Sequence, residues 1–216
     1  PVIRQYALGA LATNGYLVSN PERKEAVWVD PAADCDRILR EIERADCRLT
    51  AILLTHGHFD HIGAAQELKS RTQALIYAGE HEKEMLADPA LNCSHWMGRI
   101  TVRGDVWLAD RQVIWLAGME FNVIATPGHT AGGVCYYMEE NGILFSGDTL
   151  FAGSVGRTDL PSGSPAVLRE SLKRLTRLPD SVLVYPGHGP STTIEEERKQ
   201  NPYLAGEGFW ERDERP

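Results

Sequence analysis

The 216-residue sequence predicts an α/β fold with sheets inside and helices outside, and three observations carry that prediction. Short strand-like runs come first, as a meander. From residue 51 onward, short apolar runs alternate with helix-period segments, the order expected of a layered fold. Four of those apolar runs end abruptly in turns holding His or Asp. The length fits one domain over 1–216, with a core burying about 70% of the unfolded surface.

In chain order, Val2 to Leu8, Gly15 to Ser19 and Ala26 to Val29 read as strands, with turns expected at Asn14-Gly15 and Asn20-Pro21. Asp34 opens a helix in which Ile38, Leu39 and Ile42 share one face through Ala45. The runs Ala51 to Leu54, Phe121 to Ala125, Ile143 to Ser146 and Val182 to Tyr185 are four or five residues long and bounded by Gly or Pro. That length suits buried strands better than helices. Helices are expected at Asp60 to Ser70, Glu80 to Leu86, Pro165 to Leu175 and Thr193 to Gln200. Asp88 to Gly104, with His95 and Trp96, has no period and reads as an irregular loop.

Composition narrows the function classes. With 43% hydrophobic and 24% charged residues, the chain has the balance of a folded soluble domain. No apolar run approaches the roughly 18 residues of a membrane span. Twenty-two Lys and Arg against 30 Asp and Glu leave a net charge of −8, which argues against a broad nucleic-acid or anionic-membrane surface. The N-terminus lacks the basic start and apolar stretch of a secretory signal, so the expected location is cytoplasmic. Cys35, Cys47, Cys93 and Cys135 are unevenly spaced without a C-x-x-C, so reduced, mostly buried thiols are expected.

Five of the seven histidines sit at strand-end turns. Thr55-His56-Gly57-His58-Phe59-Asp60-His61 sets three imidazoles and a carboxylate within six residues. A strand would place His61 on the face opposite His56, His58 and Asp60, and a helix would splay His56 from His58 by about 200°. A strand that breaks at Gly57 and enters a helix at Asp60 can aim His56 and His58 at one centre and Asp60 and His61 at a second. Later turns add His129, Asp148 and His188. One histidine at a strand end is more often solvated than ligating, and Gly-Asp or Pro-Gly-His alone is an ordinary turn. Their joint occurrence carries the metal reading, because so many buried polar groups without a metal would cost several kcal/mol. Imidazole and carboxylate without thiolate suit zinc, iron or manganese.

The H-x-H-x-D-H pattern, with separate His, Asp and His positions after it, resembles the metallo-β-lactamase-fold hydrolases, from about Leu8 to Leu204. The resemblance implies a four-layer αββα sandwich and two divalent metal ions, zinc first, with iron or manganese as alternatives. It implies His56, His58 and His129 on one ion, Asp60, His61 and His188 on the other, and Asp148 bridging. Ser146 to Phe151, Gly156-Arg157-Thr158-Asp159 and Glu195 to Tyr203 look like the glyoxalase II branch and its persulfide dioxygenase relatives. Two cations offset by Asp60, Asp148 and a bridging hydroxide leave a local charge of about +1, suited to an anionic small-molecule substrate such as a glutathione thioester. The expected reaction is thioester hydrolysis by that hydroxide, with Asp60 as the catalytic carboxylate and Arg157 as the substrate contact. The alternatives are a mononuclear iron persulfide dioxygenase using His56, His129 and Asp148, or a lactone or ester hydrolase. About a dozen residues follow Leu204 where glyoxalase II continues into a C-terminal helical domain, and Gly189-Pro190 follow His188 where glyoxalase II has Glu-Tyr, so the resemblance leaves the thiol carrier open; the oligomeric state does not follow from these residues.

Overall fold

The computed structural model describes residues 1–96 and 98–204. Strands β1 (Val2–Leu8), β2 (Thr13–Asn20) and β3 (Glu25–Val29) form the antiparallel meander. The first hairpin turns at Gly9 to Ala12 and not at Asn14-Gly15, since Leu8 pairs with Thr13. Asn14 stays inside β2 because its amide reaches across to the other sheet, donating to Pro186 O (3.0 Å) and Gly189 O (2.9 Å). Gly15 lies there because a Cβ would stand 2.8 Å from Leu8 and 2.9 Å from Asp30 O.

After helix α1 (Cys35–Arg44), strand β4 (Arg48–Leu53) joins β3 in parallel. The single helix expected at Asp60 to Ser70 is two, α2 (Phe59–Ile62) and α3 (Ala65–Thr72). Ala64 N–H leaves the helical ladder for Pro31 O at 2.9 Å, and a Cβ on Gly63 would stand 2.2 Å from Ala32 O. The chain is pressed there against the loop after β3.

Strands β5 (Leu75–Gly79) and β6 (Val106–Leu108) complete the first sheet, with helix α4 (Lys83–Ala87) and the irregular 88–104 segment between them. The second sheet holds β7 (Val113–Leu116), β8 (Met119–Ala125), β9 (Val134–Met138) and β10 (Ile143–Gly147). A small ribbon of β11 (Leu150–Phe151) and β12 (Ser154–Val155) follows, then α5 (Pro165–Leu175), β13 (Leu183–Pro186), β14 (Thr192–Thr193) and α6 (Ile194–Gln200). The sheet orders are β1-β2-β3-β4-β5-β6 and β14-β13-β10-β9-β8-β7. Pro165 begins α5 where its missing N–H costs nothing, and the Ser164 hydroxyl accepts from Val167 N–H.

Period-2 alternation divides the buried side chains into three layers. Val27, Val29, Ala51, Leu53, Phe121, Tyr136 and Phe145 fill the space between the sheets. Trp28, Ile52 and Ile76 face the other way, onto Ile38 and Ile42 of α1 and Leu68 of α3. On the far side, Cys135, Leu144 and Val184 meet Leu168, Leu172 and Leu175 of α5 and Ile194 of α6. The result is the expected αββα sandwich. Along one edge the sheets are also hydrogen-bonded to each other. Asn14 N–H donates to Gly187 O (2.7 Å), Val134 N–H to Thr55 O (2.8 Å) and Tyr136 OH to Leu54 O (2.7 Å). All four cysteines are free, Cys35 and Cys135 buried and Cys47 and Cys93 half-buried. Among the described residues no helix is long and apolar enough to cross a membrane.

Candidate metal centre

The hydrogen-bonded edge is where the singled-out side chains meet. Asp30 follows β3, His56 and His58 follow β4, and Asp60 and His61 lie on α2. His129, Asp148 and His188 follow β8, β10 and β13. These strands run the same way in their sheets, so their carboxyl ends deliver the loops to one place. Three overlapping groups have ligand atoms within 4.8 Å of one another: His56, His58 and His129; His56, His61 and Asp148; Asp60, His61 and His188. His58 Nδ1 is 2.9 Å from His129 Nε2, His61 Nε2 is 3.2 Å from Asp148 Oδ1, and His188 Nε2 is 3.2 Å from Asp60 Oδ2.

Outward-facing atoms of the same rings are held by the protein, which fixes what they turn inward. His61 Nδ1 donates to Asp30 Oδ2 (2.8 Å) and His129 Nδ1 to Arg157 O (2.7 Å). Thr55 gives its hydroxyl proton to Asp30 Oδ2 (2.6 Å), so the oxygen accepts from His56 Nδ1–H at 3.1 Å. Asp30 therefore orients two imidazoles, one directly and one through Thr55. The Nε2 atoms of His56, His58 and His61 and Oδ1 of Asp148 are buried without a hydrogen-bond partner. Unpaired buried polar atoms are costly, and four of them converging are explained by a cation.

The charge states agree with a ligand set. Burial, reinforced by neighbouring imidazoles, pushes His56 down and takes His58 to about 3; burial also lowers His129. These rings are neutral and carry lone pairs. Burial would raise Asp60 and Asp148, yet His61 and His188 outweigh it and hold both carboxyls below the ordinary range. The Thr13 hydroxyl also donates to Asp60 Oδ2 at 2.8 Å. Burial would lower His61, but Asp148, Asp60 and Asp30 raise it well above its usual value. Two ionised carboxylates, three neutral imidazoles and no thiolate fit a divalent cation of zinc or iron type, which would displace the proton that the carboxylates favour on His61 and His188.

Sequence reasoning singled out all seven of these groups and missed three that support them: Thr13, Asp30 and Glu82. Asp30 had a signal, a lone carboxylate ending an apolar strand before Pro31. Glu82 had none. Its carboxylate is buried beside α4, where Oε2 accepts from Gly57 N–H (2.7 Å) and Oε1 from Thr130 Oγ1 (2.5 Å) and Gly132 N–H (2.9 Å). It thus clamps the His56–His58 loop to the His129 loop. Arg157 places its carbonyl on His129, while its guanidinium, 62% exposed, forms a two-pronged pair with Asp159 at 2.7 Å.

An αββα sandwich with a His and Asp cluster at its hydrogen-bonded edge defines a metal-dependent hydrolase. A family model described as Metallo-beta-lactamase superfamily matches residues 8–188, and the chain belongs to that superfamily. It is 34% identical over 190 residues to "Hydroxyacylglutathione hydrolase GloC" of Haemophilus influenzae, covering 85% of this chain and 89% of that protein. It is 35% identical over 207 residues to "Probable metallo-hydrolase YqgX" of Bacillus subtilis, covering 94% and 97%. Among solved structures, BLEG-1 B3 metallo-beta-lactamase superposes with a TM-score of 0.90 at 38% identity, covering 95% of this chain and 100% of that one. TTHA1623 in a di-iron-bound form gives 0.82 at 37%, covering 93% and 100%. ETHE1 from Myxococcus xanthus gives 0.83 at 31%, covering 100% and 92%.

Replacing Glu82 with Ala strands three donors beneath the centre and is expected to cost about 2–5 kcal/mol. Urea denaturation with chelator present reads the loss, and a midpoint equal to that of the wild type would take the clamp away from Glu82.

Proposed function

We propose that the chain hydrolyses a thioester whose thiol carrier is anionic, S-lactoylglutathione being the reference compound. The similarity to a hydroxyacylglutathione hydrolase over 85% of the chain carries this reading. In it, His56, His58 and His129 would hold one cation and Asp60, His61 and His188 a second, with Asp148 available to either. Zinc and iron both match the donor set, and the di-iron form of TTHA1623 supports iron as readily as zinc. Such cations supply a hydroxide at neutral pH and polarise an acyl carbonyl.

The remaining work falls to the chain's own groups. Asp60, fixed by the Thr13 hydroxyl, orients the attacking water and takes its proton at a carboxylate oxygen. The leaving thiolate is stable enough to depart without a strong acid. Arg157, exposed and paired with the surface carboxylate of Asp159, can exchange it for a substrate carboxylate. The likeness to a structure named as a B3 metallo-beta-lactamase puts a lactam second among acyl substrates.

The deciding experiment is S-D-lactoylglutathione hydrolysis by metal-replete protein against a chelator-stripped control, with turnover expected only in the former. Bound metal without turnover overturns the reading and directs the same sample to lactam hydrolysis and to oxygen uptake with a persulfide. Asp148→Ala is expected to lose both metal, by elemental analysis, and turnover; full metal content with retained turnover removes Asp148 from the bridging position. Arg157→Met is expected to raise KM for the anionic thioester roughly tenfold at unchanged metal content. An unchanged KM returns Arg157 to a surface ion pair.

A further inference from the structure

A cavity of about 300 Å³ opens beside the metal centre, between the Gly9–Ala12 turn, the loop after β3 and α2. Leu8, Leu11, Phe59 and Ile100 give it apolar walls, and Thr13 and Asp60 belong both to the cavity and to the centre. Whatever occupies it therefore lies next to the carboxylate assigned to the attacking water. Among the described residues, none of its walls carries a cation. The exposed Asp34 at its margin disfavours an anion, and the Thr13 hydroxyl is already committed to Asp60. A peptide-like carrier with carboxylates finds nothing to bind there. Arg157 stands instead beside His129, which shares no ligand group with Asp60.

From this juxtaposition we infer that the cavity receives the acyl side of the substrate, and that the preferred acyl group is an uncharged aliphatic chain longer than lactoyl. This inference rests on the thioesterase reading and names its substrate class. The volume is at the lower end for small-molecule pockets, and at about 30 Å³ per small unit it has room for a chain of about six carbons or more. A lactoyl group would leave most of it unfilled and would bring a hydroxyl to walls with little to pair it.

Each methylene entering the cavity is expected to raise kcat/KM about fourfold when fully buried. Hexanoylglutathione should then exceed acetylglutathione by about ten- to a hundredfold with metal-replete protein. A second measurement needs no turnover: calorimetric binding of S-hexylglutathione against S-methylglutathione, with the hexyl compound tighter by about tenfold or more. Leu11, 55% exposed, tolerates replacement, and Leu11→Asp sets a carboxylate at the lip, so both ratios should fall toward one. Thioesters hydrolysed equally well whatever their chain length, with equal binding of the two thioethers, would overturn the cavity assignment and leave the thioesterase reading standing. Tighter hexyl binding without hydrolysis of either thioester would do the reverse.

Discussion

Four buried atoms without a hydrogen-bond partner, Nε2 of His56, His58 and His61 and Oδ1 of Asp148, are the constraint around which the rest of the molecule is arranged. A fold leaves buried polar atoms unpaired at a cost of about 1–3 kcal/mol each, so it keeps them only where something else satisfies them. Their surroundings are correspondingly over-determined. Asp30 holds His61 and, through Thr55, His56; a backbone carbonyl holds His129; Glu82 ties the two histidine loops together. The protein thus commits two buried carboxylates, neither of them in the ligand groups, to aiming imidazoles.

That arrangement depends on strand direction. The parallel pairs β3/β4 and β10/β13 put carboxyl-terminal loops from both sheets on the same edge. Val134 N–H to Thr55 O and Asn14 N–H to Gly187 O then close the gap between the sheets beside the centre. One consequence is that Asn14 and Gly15, which read locally as a turn, are kept in extended backbone. The long-range bonds of the Asn14 amide to Pro186 and Gly189 outweigh the local preference of the pair.

This is also where the sequence stops being legible. The ligand groups could be read because each stands at the end of an apolar run, and because three imidazoles and a carboxylate in six residues have no ordinary explanation. The layered class could be read from the alternation of runs. Strands β5, β6, β7, β9, β11, β12 and β14 were not anticipated. β6, β7 and the two-residue β11, β12 and β14 are too short to show a period, while β9 is buried along its whole length and so shows no alternation. The helix break at Gly63 was invisible because its cause, the Pro31 carbonyl, lies on a loop more than thirty residues earlier. Glu82 was invisible for the same reason: nothing near it in sequence needs a carboxylate.

The relatives bear on where specificity resides. Proteins named as a hydroxyacylglutathione hydrolase, a B3 metallo-beta-lactamase and ETHE1 all lie at 31–38% identity to this chain, and the two solved structures superpose on it with TM-scores above 0.8. A scaffold common to proteins so differently named does not choose the substrate; the walls around the centre do. In this chain those walls are unlike on the two sides. Beside His129 stands an exposed guanidinium whose backbone, not its side chain, orients the ring, so the charge there can change without moving the ligand. Beside Asp60 stands an apolar cavity bounded by the first hairpin, where a change at Leu11 alters shape without touching the Thr13–Asp60 bond. On the proposed assignment, changes at Arg157 or Leu11 would shift substrate preference while the side chains that orient the imidazoles keep their places.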